Sequence, residues 1–79
     1  MGRIDRLLVV AIAESERLEI GDVFLLQDLF RDEAWTALPL REQISLEKLF
    51  SSYVESEGLH LKMAGESDEG CQIYQVVRG

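Results

Sequence analysis

Apolar residues recur at helical spacing from Ile4 to Leu18, where Ile4, Leu7, Leu8, Ala11 and Ile12 follow the i, i+3, i+4, i+7, i+8 spacing of one buried stripe. Val9, Val10 and Ala13 lie off that stripe, so this helix either sits deeper in its own domain or meets a second chain. Gly21 closes the segment. "DVFLL" (Asp22 to Leu26) is rich in β-branched and aromatic residues just after a glycine, which predicts a short strand. Helical spacing returns through Leu26, Leu29 and Phe30 and, after a break near Arg31 to Glu33, through Trp35 and Leu38. Pro39 punctuates, because the residue before a proline is biased away from helix. A longer helix starts between Leu40 and Ser45, with Leu46, Leu49, Phe50, Tyr53 and Val54 as its stripe and Gly58 as its C-cap.

The remainder alternates as strands do. Leu59, Leu61 and Met63 point one way and His60 and Lys62 the other; "AGESDEG" is a turn and "CQIYQVV" the return strand. Three helical stripes and a hairpin with one apolar face must pack together, and the short strand adds a third member to the hairpin sheet. The expectation is one α+β domain over residues 1–79, winged-helix-like, with three helices, a C-terminal hairpin and a short strand near residues 22–26.

The stretch from Phe24 to Phe50, followed by the hairpin, resembles a family of small bacterial proteins of unknown function. The family pattern runs F-x-L-x-D-L-F, a Trp, an Arg, then L-G-x-x-F. Phe24, Leu26, Asp28, Leu29, Phe30, Trp35, Arg41, Leu46 and Phe50 match it, while Glu47 stands where the glycine is usual. The resemblance spans roughly residues 20 to 77. It implies a winged-helix-like fold and no activity.

Charge changes the picture. Fifteen acids against eight bases give a net charge of −7, and phosphate affinity comes chiefly from Lys and Arg displacing counterions. The reading helix of such a fold would be Ser45 to Glu57, and its DNA contacts would be Arg31, Arg41, Lys48, Ser51 and Ser52. That is fewer cations than the roughly six to ten phosphate contacts of a strong binder. Glu55, Glu57, Glu66, Asp68 and Glu69 gather instead at the helix end and hairpin tip. They form either a merely solvated surface or an acidic face for a protein partner, in the extreme an inhibitor imitating nucleic acid. Nucleic acid is a disfavoured partner on charge.

Candidate chemistry is thin. His60 and Cys71 are the one nucleophile–base pair. With the hairpin centred near Ser67, Cys71 faces Ala64 and His60 faces Gln75, about 13 Å apart at roughly 3.3 Å per residue. That separation predicts a half-exposed histidine and a small buried thiol rather than a catalytic pair. One His and one Cys cannot close a zinc site, and "ESDEG" lacks the series of a calcium loop. No enzyme activity, cofactor, metal or small-molecule substrate is expected.

Trp35, Phe24, Phe30 and Phe50 are expected in the core, with Tyr53 and Tyr74 at its rim. The N-terminus imitates a secretion signal, with Arg3 and Arg6 before "LLVVAIA", but the apolar run is only seven residues and Asp5 interrupts the basic stretch. A single cysteine cannot staple the chain, and a cytoplasmic location is expected. The reading that follows is a non-enzymatic protein-interaction or regulatory module that self-associates as a homodimer through Val9, Val10 and Ala13. The alternative is a small regulator that binds DNA as a dimer.

Overall fold

The computed structural model describes residues 2–57 and 60–78; Gly58 and Leu59, the predicted cap and first strand residue, lie outside them. Helix α1 runs Arg3–Ser15. The Asp5 carboxylate accepts the Gly2 N–H at 3.3 Å, meeting one of the donors that a helix start leaves free. The predicted stripe faces inward, with Ala11 fully buried and Ile4, Leu7, Leu8 and Ile12 packed around it. The helix stops three residues before Leu18. There the Ser15 hydroxyl donates to the Ile12 carbonyl at 2.6 Å, and tighter turns follow from Arg17 N–H to Glu14 and from Leu18 N–H to Ser15.

Strand β1, Val23–Leu25, points Phe24 into the core. It gives way at once to a 3-10 turn, Leu26–Leu29, because the Asp28 carboxylate accepts the Leu25 N–H at 2.9 Å. The helical spacing that begins at Leu26 is therefore realised in two short pieces, this turn and α2, Asp32–Thr36. Pro39, whose φ of −57° is preset for a helix entry, caps α3, Leu40–Ser56. Gln43 fastens the turn between α2 and α3, its amide donating to the carbonyls of Trp35 at 2.9 Å and Leu38 at 3.2 Å. On α3, Leu46, Phe50 and Val54 are buried. Leu49, predicted in the same stripe, is turned to solvent, since it lies about 100° around the helix from Phe50.

Strands β2, Leu61–Glu66, and β3, Gln72–Val76, form the hairpin, and β1 pairs with β3, giving the sheet order β1-β3-β2. All pairs are antiparallel. The hairpin register differs from the expected one. Ser67 N–H donates to the Cys71 carbonyl and Val77 N–H to the His60 carbonyl, both at 2.8 Å; Cys71 thus faces Ser67 rather than Ala64, and His60 faces Val77 rather than Gln75. Two local features move it. Gly70, with φ +84°, takes the left-handed position that ends a three-residue loop. Ala64 is bulged out between Met63 opposite Tyr74 and Gly65 opposite Ile73, Gly65 taking φ +112°. The adjacent valines of β3 are also resolved: Val76 is inside, and Val77 lies past the strand end, exposed.

Helix, short strand, two helices and a hairpin, with the short strand beside the last, make the winged-helix arrangement of the α+β class. Its core is aromatic. The Phe50 and Tyr74 rings meet at 4.9 Å, nearly perpendicular, and Phe24 stacks on Tyr74 at 5.7 Å. Phe30 and Trp35 stack at 5.8 Å and are half-buried at the core's edge. Tyr53 is at the rim, as expected, whereas Tyr74, also expected there, is at the centre with 1% of its surface exposed. A buried phenol needs a partner, and Ser51 Oγ supplies one at 2.7 Å.

Burial raises the Tyr74 phenol above its ordinary value, against the opposing Ser51 hydrogen bond. A group raised in the folded state keeps its full contribution below the unfolded value, about 10 for tyrosine, and loses it as pH climbs through the folded one. Stability should be flat through neutrality and fall above about pH 10. Tyr74→Phe should cost about 1 kcal/mol in urea unfolding at pH 7 and should flatten the alkaline limb. A limb of unchanged slope in that variant would assign the alkaline loss elsewhere.

Candidate interaction surfaces

The outer side of α3 and the inner side of the hairpin bound a groove of about 400 Å³, lined by Ile44, Glu47, Lys48, Ser51, Ser52, Glu55, Glu66, Gly70 and Gln72. The helix period puts these α3 residues together, since Ile44, Lys48, Ser51, Ser52 and Glu55 recur at i, i+4, i+7, i+8 and i+11. The Tyr74–Ser51 hydrogen bond ties the groove floor to the core. In a winged helix this is the space between reading helix and wing. Here it carries three carboxylates, Glu47, Glu55 and Glu66, against the one ammonium of Lys48.

Of the five predicted acidic-face residues, Glu55 and Glu66 meet in this groove. Glu57, just past the helix end, and Asp68 and Glu69, in the hairpin loop, are exposed but do not line it. Of the predicted DNA contacts, Lys48, Ser51 and Ser52 line the groove, and Arg41 is exposed on the same side of α3, two turns before Lys48. Arg31 is set apart, as the cap of α2. Ile44 and Gln72 were not singled out in sequence, and Glu47 was noted there only as a departure from the family pattern, not as part of an acidic face. Ile44 was findable, being one turn before Lys48; Gln72 depends on the hairpin register.

On α1 the residues off the buried stripe face solvent. Val9 is 57% and Val10 45% exposed, and Ala13 is exposed beside them, so deeper burial within the domain is ruled out. Near its start the helix is held to α3, where the Arg3 guanidinium, on the same line of the helix as Val10, binds the Glu42 carboxylate, with Nε at 2.9 Å from Oε1. That hydrogen bond holds Glu42 below the usual carboxylate range.

His60 and Cys71 stand at opposite ends of the hairpin, about 20 Å apart at 3.3 Å per residue. The Cys71 thiol is half-buried, not fully as expected. His60 has another partner, the fully buried Ser15, whose Oγ lies 3.1 Å from Nε2. The single hydroxyl hydrogen is engaged by the Ile12 carbonyl, so Nε2 must donate to Ser15. The imidazole is therefore not placed to take the serine proton. The pair clasps the end of α1 to the start of β2 beside a cavity of about 290 Å³ that Arg78 and Glu16 also line. Among the described residues no three His, Cys, Asp or Glu side chains gather as a metal set, and no helix is long and apolar enough to cross a membrane.

Fold and groove together define a winged-helix module. The chain belongs to the family described as Domain of unknown function (DUF1413), which it matches over residues 9–75. It is similar in structure to a solved protein described as "SCCmec type IV LP1413 - nucleic acids binding protein", with 20% sequence identity and a TM-score of 0.76, over 98% of this chain and 89% of that one. At such identity the likeness is one of fold. None of the curated proteins compared with the chain matches it in sequence.

If the groove carboxylates keep phosphate away, replacing them should admit it. Glu55→Lys with Glu66→Lys should create two phosphate contacts and steepen the slope of log affinity for a mixed-sequence duplex against log salt by about 1.8. A slope equal to that of the unaltered protein would mean that the groove does not face the duplex.

Proposed function

We propose that this protein is a non-enzymatic interaction module that acts through protein–protein contact and self-associates through the outer face of α1. The observation that carries the reading is the exposed apolar set Val9, Val10 and Ala13 on a helix whose opposite face already fills the core. Single exposed apolar residues are ordinary. Three neighbours on one short helix, at positions where a solvated face would be polar, favour a covered surface. The acidity of the groove supports a protein partner over a phosphate backbone. The absence of enzymatic activity is part of the proposal and rests on the donating His60 imidazole and the distant thiol. A cytoplasmic setting suits the single unpaired cysteine.

A second reading, a small regulator binding nucleic acid as a dimer, is favoured by the description of the structural neighbour as a nucleic acids binding protein. Arg41, Lys48, Ser51 and Ser52 on one side of α3 would be its contacts, with Arg31 contributing from α2.

One pair of measurements separates the two. Sedimentation equilibrium should show concentration-dependent self-association, and Val9→Asp should reduce it at least about tenfold, the desolvation cost of one buried charge being well above 1.4 kcal/mol, without altering the circular dichroism spectrum. A mixed-sequence duplex should not bind at moderate salt. A monomer at high concentration overturns self-association, and tight, salt-sensitive duplex binding by the unaltered protein promotes the second reading.

A further inference from the structure

The charges bordering the exposed face of α1 follow a pattern that chooses between the ways two copies can meet. Asp5 and Glu16 are eleven residues apart, as are Arg6 and Arg17, and all four are exposed. Eleven residues are close to three helical turns, about 16.5 Å, so each pair stays on one line along the helix. The helical part ends at Ser15, but the backbone of Glu16 keeps helical angles and Arg17 N–H bonds to the Glu14 carbonyl, which continues the path by one turn. Seen down the axis, Val9 and Ala13 lie at the centre of the face. Asp5 and Glu16 border it on one side, Arg6 and Arg17 on the other, and Val10 lies beyond the arginines.

Two copies related by a two-fold axis can bring this face together in two ways. With the helices antiparallel, each border meets itself: Arg6 lies beside the partner's Arg17, and Asp5 beside the partner's Glu16. With the helices parallel, the borders exchange: Arg6 lies beside the partner's Asp5, and Arg17 beside the partner's Glu16. The first arrangement sets like charges together on both sides and the second sets opposite charges together on both sides.

We infer that the occupant of this face is the α1 helix of a second copy, packed in parallel, with Val9 and Ala13 at the seam and the pairs Arg6–Asp5 and Arg17–Glu16 bridging the copies. The inference rests on the self-association proposed above and adds its orientation. Arg17 already holds Glu14 at 3.5 Å within its own helix, and a guanidinium has donors enough for a second carboxylate. Thirteen helical residues present much less than the roughly 800 Å² per partner of a standard interface. The contact is accordingly weak, and the charge pairs decide direction more than strength.

The full chain carrying Arg6→Asp and Arg17→Glu should self-associate at least about tenfold more weakly than the unaltered chain at low salt. The chain carrying Asp5→Lys and Glu16→Lys should weaken likewise, and an equimolar mixture of the two should return to the unaltered level. An antiparallel pair, already facing like to like, would leave each variant unchanged and make the mixture tighter than the unaltered protein, which overturns the orientation. A second readout uses a Cys71→Ser background. Val9→Cys should then oxidise to a dimer with itself; a Val9→Cys chain that crosslinks only when mixed with an Ala13→Cys chain reports the antiparallel pair. If the unaltered chain stays monomeric at high concentration, the self-association reading fails and this inference with it.

Discussion

Tyr74 meets Phe50 at 4.9 Å and Phe24 at 5.7 Å, and those three rings come from β3, α3 and β1. Aromatic side chains bury more area than any others and prefer defined mutual angles. In a chain of 79 residues, with limited core volume, this cluster joins the sheet to the long helix. It determines which side of α3 turns inward. With Phe50 pinned under Tyr74, Leu46 and Val54 follow it one turn either way, and the adjoining side, from Ile44 to Glu55, is left bordering the hairpin. The Tyr74 hydroxyl then reaches Ser51 and sets the floor of the groove.

The surfaces inherit their character from that arrangement. A winged helix presents its third helix and wing to a partner, and here the shared space holds more carboxylate than ammonium. The Asp28 carboxylate, by contrast, turns inward on its own backbone and closes β1 into the following turn. Acids in this chain thus do two kinds of work, local capping at Asp5, Asp22 and Asp28, and the charge of the groove at Glu47, Glu55 and Glu66. The α1 helix divides similarly. One face is core, one edge is held to Glu42 by Arg3, and the remaining face keeps its valines in solvent.

Much of this was legible in the residues. The buried stripe of α1, the break after Phe30, a start of α3 between Leu40 and Ser45 and the membership of β1 in the hairpin sheet follow from spacing and turn chemistry. What was misread shares one cause, dependence on partners distant in sequence. Leu49 fits an i, i+3 pattern with Leu46, yet the groove side of α3 is decided by where Phe50 meets Tyr74. Tyr74 itself reads as an amphipathic rim residue until Ser51 is seen to satisfy its hydroxyl. The hairpin register depended on which glycine took the left-handed position, and both Gly65 and Gly70 do so for different reasons, one at a bulge and one at the loop end.

The sequence by itself determined the α+β class, the order of elements and the net excess of acid, because periodicity, turn residues and formal charge are local properties. Tertiary structure decided the rest. It brought Glu66 of the hairpin to the same groove as Glu55 of α3, gave His60 to Ser15, and left Val9, Val10 and Ala13 uncovered. Each of these outcomes depends on a strand register or on the direction in which a helix face is turned. A shift of one residue in a register, or of 100° around a helix, reverses them, and no local pattern specifies either.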